Sequence, residues 1–168
     1  NTVMVRAYDR AGHFTTALLT FYLDSIAPNA LITSPAEDGL YSGAVEFDFE
    51  TDDSGCGVFY CEARLDSDTA PGLWTILTSL DPFTITDLST GHYTFFLRVH
   101  DLVNNTRTVS VEFDVDTLPP TVMITSPQEG SYLDATSIVI VWDASGTGSG
   151  IDYFEIYVED YDGMAGSW

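Results

Sequence analysis

The chain contains no lysine. Its strong bases are five arginines, set against 26 acidic residues, and its formal charge is −21. Such a chain repels phosphate backbones and anionic lipid headgroups, so neither nucleic acid nor an acidic membrane surface is an expected partner. Long apolar runs are also missing. The longest, Ala17 to Leu23 and Ile138 to Trp142, fall well short of the ~18 residues of a membrane helix, and no membrane span is expected. No stretch carries a useful helical period. Catalytic signatures are absent as well. There is no Gly-x-Ser-x-Gly elbow, and Gly146-Thr147-Gly148-Ser149-Gly150 fits no phosphate-binding spacing. His13, His92 and His100 fall at turns or on expected solvent faces. No enzyme is expected.

What is present is a core-forming composition, 45% hydrophobic and 13% aromatic, which excludes a disordered chain. It is arranged in a repeat. Val5-Arg6-Ala7-Tyr8-Asp9 returns as Leu97-Arg98-Val99-His100-Asp101. Asp24-Ser25-Ile26-Ala27-Pro28 returns as Asp116-Thr117-Leu118-Pro119-Pro120, and Ile32-Thr33-Ser34-Pro35 as Ile124-Thr125-Ser126-Pro127. Each pair lies 92 residues apart. A period of that size matches one small β-sandwich domain.

Within residues 25–116 the pattern is that of short strands. Val45-Glu46-Phe47-Asp48-Phe49-Glu50 alternates apolar and acidic residues, the period of a half-buried strand. Tyr93, Phe95, Leu97 and Val99 alternate with Thr94, Phe96, Arg98 and His100, and Val109, Val111, Phe113 and Val115 form a second apolar stripe. Strands are also expected at Ala30 to Thr33, Val58 to Arg64, Leu73 to Leu77 and Pro82 to Thr86. Seven short strands with turn signals between them describe a Greek-key sandwich. The flanks align at the same offset. Residues 1–24 correspond to the last two strands of a preceding unit, with Val3, Val5, Ala7, Ala17, Leu19, Phe21 and Leu23 facing inward. Residues 117–168 supply the first strands of a following unit, with Ile138, Ile140 and Trp142 on one strand face and Val139 and Val141 on the other. Because the chain begins inside a unit, the lack of a signal peptide says nothing about export.

These features resemble the immunoglobulin-like repeats of bacterial and archaeal surface proteins. The matching pieces are the strand ending in Arg-x-x-Asp, the turn Asp9-Arg10-Ala11-Gly12-His13, the linker Asp-x-x-x-Pro, the Ile-Thr-Ser-Pro strand and the Ser-Gly-x-Gly loop. His13 stands where such turns usually carry Asn. The resemblance implies an all-β fold of tandem Ig-like Greek-key sandwiches and an extracellular or cell-surface location. It implies a non-catalytic structural module of a stalk, sheath or filament. The alternative is an adhesin or a carbohydrate-binding accessory module, for which Phe96, Tyr8, Trp74 and Trp168 are the candidate platform aromatics. Expected partners are neighbouring repeats or other copies of the chain, or else a surface polysaccharide or protein.

Four candidate features follow. Cys56 and Cys61 are either two small buried hydrophobes or a local disulfide; their joint absence from the following unit (Ser149, Phe154) favours the pair. The aspartates Asp9, Asp24, Asp52, Asp101, Asp116 and Asp143 recur by unit and could converge on calcium at a junction; ordinary turn chemistry is the competing reading. Asn104-Asn105-Thr106 is a glycosylation sequon on an expected hairpin tip. Finally, residues 1–24 and 117–168 together make up most of one unit. Either the chain is a window onto a longer array, or two chains join head to tail by strand complementation.

Overall fold

The computed structural model describes residues 1–134, 137–159 and the backbone of 165–167. Every regular element among them is a β-strand. Strands β3 (Asn29–Ser34), β5 (Val45–Asp52) and β8 (Phe83–Ile85) form one sheet in the order β3-β5-β8. Strands β4 (Gly39–Tyr41), β6 (Val58–Ser67), β7 (Thr75–Ile76), β9 (Gly91–Asp101) and β10 (Thr106–Val115) form a second, in the order β4-β10-β9-β6-β7. Neighbours are antiparallel except β4 and β10, which run parallel. The all-β architecture is compatible with a β-sandwich.

The alternation in the sequence explains the core. Val45, Phe47 and Phe49 point from the first sheet, and Cys61, Phe95, Leu97, Val99, Val111, Phe113 and Val115 from the second; all are buried. Phe47 lies 4.5 Å from the Phe95 ring and 5.9 Å from that of Phe113, joining the two layers. Burying such side chains supplies roughly 1.5–3 kcal/mol each, the main drive for this unit. Strand β4 was not among the expected strands. Three residues carry no readable period, and its pairing is non-local.

The flanking segments hold the same local pairings without a second layer. Strands β1 (Thr2–Tyr8) and β2 (Phe14–Thr20) form a two-stranded hairpin in which every residue is exposed. Its register pairs Val3 with Leu19 and Val5 with Ala17. Strand β11 (Thr121–Ser126) pairs with β12 (Val141–Ser145), with a register shift between Ile124 and Ser126. The β3–β5 pair shifts between Ile32 and Ser34. Strand β13 (Tyr157–Glu159) pairs with β14 (Ala165–Ser167). The strand expected over Ile138 to Trp142 begins only at Val141. In β5 the corresponding residues, Val45 to Phe47, are held by pairing with β8, whereas β12 pairs with β11 alone among the described residues.

Candidate functional site

The linker before β3 is where three loops meet. Asp24 turns back on its own linker, its Oδ1 accepting the Ile26 amide at 3.0 Å. Its Oδ2 accepts the Cys56 amide, 32 residues on, at 2.7 Å. Bonds from the Ile26 amide first, then from the thiol and the amide of Cys56, hold the Asp24 carboxyl below its ordinary value. Asp53 shapes the receiving loop by accepting the Gly55 and Gly57 amides at 3.1 and 2.6 Å. Gly57 has φ +92° and Gly55 has no room for a side chain, because a Cβ there would overlap the Asp24 carboxylate. The β9–β10 turn closes the third side, with Asn105 Nδ2 donating to the Asp24 carbonyl at 3.4 Å.

The next linker repeats the arrangement. Asp116 Oδ1 accepts the Leu118 amide at 3.0 Å, and its Oδ2 accepts both the amide and the hydroxyl of Ser149 at 2.7 Å. Bonds from Ser149 and then Leu118 hold this carboxyl down as well. A Cβ on Gly148, at φ +63°, would overlap the Asp116 carboxylate. In both places an aspartate binds the amide two residues ahead and an amide of a Gly-x-Gly loop further along. Cys56 and Ser149 occupy the same station.

Among the described residues no three of the six expected calcium aspartates gather in one cluster of ligand atoms, although Asn105 Nδ2 donates both to the Asp24 carbonyl and to Asp101 Oδ2. Asp9 and Asp101 cap their own hairpins. Asp9 Oδ1 accepts the amides of Ala11 and His13, and Asp101 Oδ1 those of Val103 and Asn105. His13 Nδ1 lies 2.9 Å from the second Asp9 oxygen, the place Asn105 Nδ2 takes beside Asp101. This explains how histidine substitutes for asparagine in that turn. Asp52 and Asp143 are exposed on β5 and β12. The cluster that does form is Asp24, Asp53 and Cys56, whose ligand atoms lie within 4.8 Å of one another. This donor set does not fit calcium, which takes hard oxygen ligands, because one corner is a thiol. Asp53 was missed and Asp52 expected in its place. The signal was the Asp-x-Gly-x-Gly spacing, in which a side-chain oxygen can reach two successive glycine amides.

The expected disulfide is absent: Cys56 and Cys61 are both free thiols. Cys61 points into the core from β6, fully buried, while Cys56 sits in the loop against Asp24. Desolvation pushes both thiols up, and at Cys56 the bond to Asp24 adds to it. Asn104 is exposed at the hairpin tip with φ 69°, and its Oδ1 is 3.3 Å from His100 Nδ1.

The outer face of the larger sheet also departs from expectation. His100 is buried rather than solvent-facing. Tyr60 stacks on it with ring centroids 4.2 Å apart, and its Nε2 lies 3.1 Å from Glu62 Oε2. Arg98 holds the same Glu62 oxygen through Nη2 at 2.6 Å. The guanidinium of Arg98 lies 4.0 Å from the Trp74 ring centroid, and that of Arg64 lies 4.4 Å from the Phe96 centroid. Trp74 and Phe96 thus each pack against an arginine on this face. Tyr8 is exposed but packs against Phe14 at 5.4 Å. Trp168 lies outside the described residues. No family model and no curated protein matches the chain.

Proposed function

We propose that the chain is a non-catalytic structural segment of an extracellular or cell-surface stalk or filament. In this reading it consists of immunoglobulin-like repeats of about 92 residues, with boundaries after residues 24 and 116. The observation that carries the reading is the aspartate clamp that recurs at both linkers. A charged acceptor with two amide donors across a junction restricts how successive units can tilt. Prolines at positions 28, 119 and 120 stiffen the same segments. The two-sheet topology of residues 29–115, with β3 and β4 of one edge divided between the sheets, agrees with the Ig-like expectation. A modular rod needs defined joints more than it needs a cleft, and the joints are the features that repeat here.

Small-angle scattering on the dilute, monomeric chain tests this. The wild type is expected to give one narrow, extended distance distribution. The Asp24→Ala, Asp116→Ala double variant is expected to give a broader one with unchanged circular dichroism. A wild-type distribution as broad as that of the variant overturns the reading.

A further inference from the structure

The outer face of the larger sheet carries two rows of side chains that run across its strands. In the first row Ile76 lies opposite Glu62, Glu62 opposite Arg98, and Arg98 opposite Thr108. In the second, Arg64 lies opposite Phe96 and Phe96 opposite Ser110. Trp74, the residue before β7, flanks Arg64, whose guanidinium is 5.0 Å from its ring centroid. With strands about 4.8 Å apart, the first row is about 14 Å long. Both rows cross β6 and β9 near their middles, and neither linker contributes to them.

Long side chains on a face with no further layer over it are ordinarily free to move. Here they are fixed. Arg98 gives Nε and Nη2 to a single oxygen, Glu62 Oε2, at 2.8 and 2.6 Å, and its guanidinium lies over Trp74. Arg64 holds Asp66 at 3.0 Å and lies over both Trp74 and Phe96. Their bonding capacity is not exhausted. Glu62 Oε1, Arg98 Nη1 and the hydroxyls of Thr108 and Ser110 have no partner among the described residues. The Arg64 and Arg98 side chains are 26% and 32% exposed, and Ile76 is 59% exposed. Arg64 and Arg98 are matched by Asp66 and Glu62, so these four side chains carry no net charge in a chain of −21.

Fixed donors and acceptors beside apolar side chains, with their charges cancelled, suit a ligand with hydroxyl groups, apolar C–H faces and no charge of its own. A neutral sugar has that chemistry. An anion would meet Glu62, Asp66 and the field of an acidic chain, and a cation would meet two arginines at the centre. We propose that the outer face of β6, β7 and β9 binds an uncharged oligosaccharide or polysaccharide laid across the strands. Arg98 and Glu62 bond its hydroxyls at the centre of the face, and Thr108 and Ser110 do so on the β10 side. Trp74 and Ile76 pack against its C–H groups on the β7 side. The arginines are held before the ligand arrives, so binding orders few side chains. Such a face adds a ligand to the structural module, and the linker joints do not depend on it.

Native electrophoresis of the full chain through gels containing a soluble polysaccharide tests this. The neutral probes are mannan, dextran, galactomannan and hydroxyethyl cellulose, and polygalacturonate is the acidic comparison. The wild type is expected to be retarded by at least one neutral polymer and to run freely through polygalacturonate. Trp74→Ala is expected to abolish the retardation. Thr108→Val, at an exposed position that leaves both ion pairs in place, is expected to weaken apparent affinity about threefold or more through the loss of one hydrogen bond. Far-ultraviolet circular dichroism and the urea midpoint show whether each variant keeps its fold, and Thr108→Val serves alone where Trp74→Ala does not. A wild type that no neutral polymer retards, retardation by polygalacturonate alone, or retardation that Thr108→Val and a folded Trp74→Ala leave unchanged each overturns the proposal. The scattering test of the linker joints uses no saccharide, so failure of binding and failure of the stalk reading are separate results.

Discussion

Two hairpins of this chain have the same sequence logic and opposite surroundings. Hairpins β1–β2 and β9–β10 share register, and each turn is capped by an aspartate that accepts the amides two and four residues ahead. Yet β1 and β2 are exposed throughout, while Phe95, Leu97, Val99, Val111 and Phe113 are buried. Local sequence is enough to set the turn and the pairing. Burial is a property of what faces the hairpin, and among the described residues only β9–β10 faces a sheet. The contrast also ranks the energetics: similar apolar stripes stabilise one region and leave the other as unpartnered surface.

The largest effect should appear where the two hairpins differ most. Phe47 is fully buried beneath β9–β10. Phe47→Ala is expected to cost about 3–5 kcal/mol, through lost burial and the cavity left behind. Val5→Ala, on the exposed stripe of β1, is expected to change monomer stability by less than about 0.5 kcal/mol. Urea denaturation at dilute protein concentration measures both. Equal losses would mean that the first hairpin is packed on something in solution, and the comparison would fail.

The outer faces differ as well. On β1 the side chain of Arg6 lies over Phe14, 5.0 Å from the ring centroid. Its counterpart Arg98 joins Glu62 and His100. Desolvation alone would raise the Glu62 carboxyl, and the hydrogen bonds from Arg98 and His100 outweigh it, so the net displacement is downward. A depressed folded value means that this contribution is present above the ordinary carboxylate range and is lost as pH falls through the folded value. Glu62→Gln is expected to cost about 1–2 kcal/mol at pH 7, since hydrogen bonds to a charged acceptor are broken in a half-dry site. The variant should also flatten the acid limb of the stability profile. Arg6→Gln should leave both unchanged in the monomer.

The two thiols give a kinetic version of the contrast between surface and core. Cys56 is partly exposed and held up by desolvation and Asp24; Cys61 is fully buried. Thiol labelling of the unreduced native protein should modify Cys56 slowly and Cys61 only on unfolding. Asp24→Asn should speed Cys56 by removing the neighbouring negative charge. No labelling after denaturation without reductant would restore the disulfide reading.

Much of this organisation was legible in the chain. The alternation of Val45, Phe47 and Phe49 with acidic residues gave both the strand and its buried face, because a period of two has one structural meaning. The 92-residue offset anticipated the matching turns and linkers. What sequence missed depends on contacts from afar. Parity placed His100 on the outer face of its strand but could not show that Tyr60 and Glu62 cover it. Gly39-Leu40-Tyr41 is too short to carry a period and pairs with β10, far along the chain. Ile138 to Ile140 reads as a strand by composition, yet strand character needs a neighbour. The linker clamp was visible as repeated aspartates and repeated glycine loops separately. Their meeting required the fold.

The smallest expected effect belongs to His92, at the start of β9. Its Nδ1 is 2.9 Å from Asp114, across the strand pair, and Glu112 and Asp68 lie nearby. The bond to Asp114, opposed by slight desolvation and reinforced by the surrounding carboxylates, raises its value above the ordinary 6.5. A raised folded value makes the contribution complete below the unfolded value and progressively lost as pH rises through the folded one. Because the side chain is well exposed, solvent screens most of the gain. Stability should therefore decline slightly from pH 6 to pH 8, and His92→Gln should remove that slope without lowering stability at pH 8. Nuclear magnetic resonance titration of the three imidazoles should find His92 above the ordinary value. A normal His92 titration would show that β9 is held at this end by pairing and core contacts alone, as β1 is held by pairing alone.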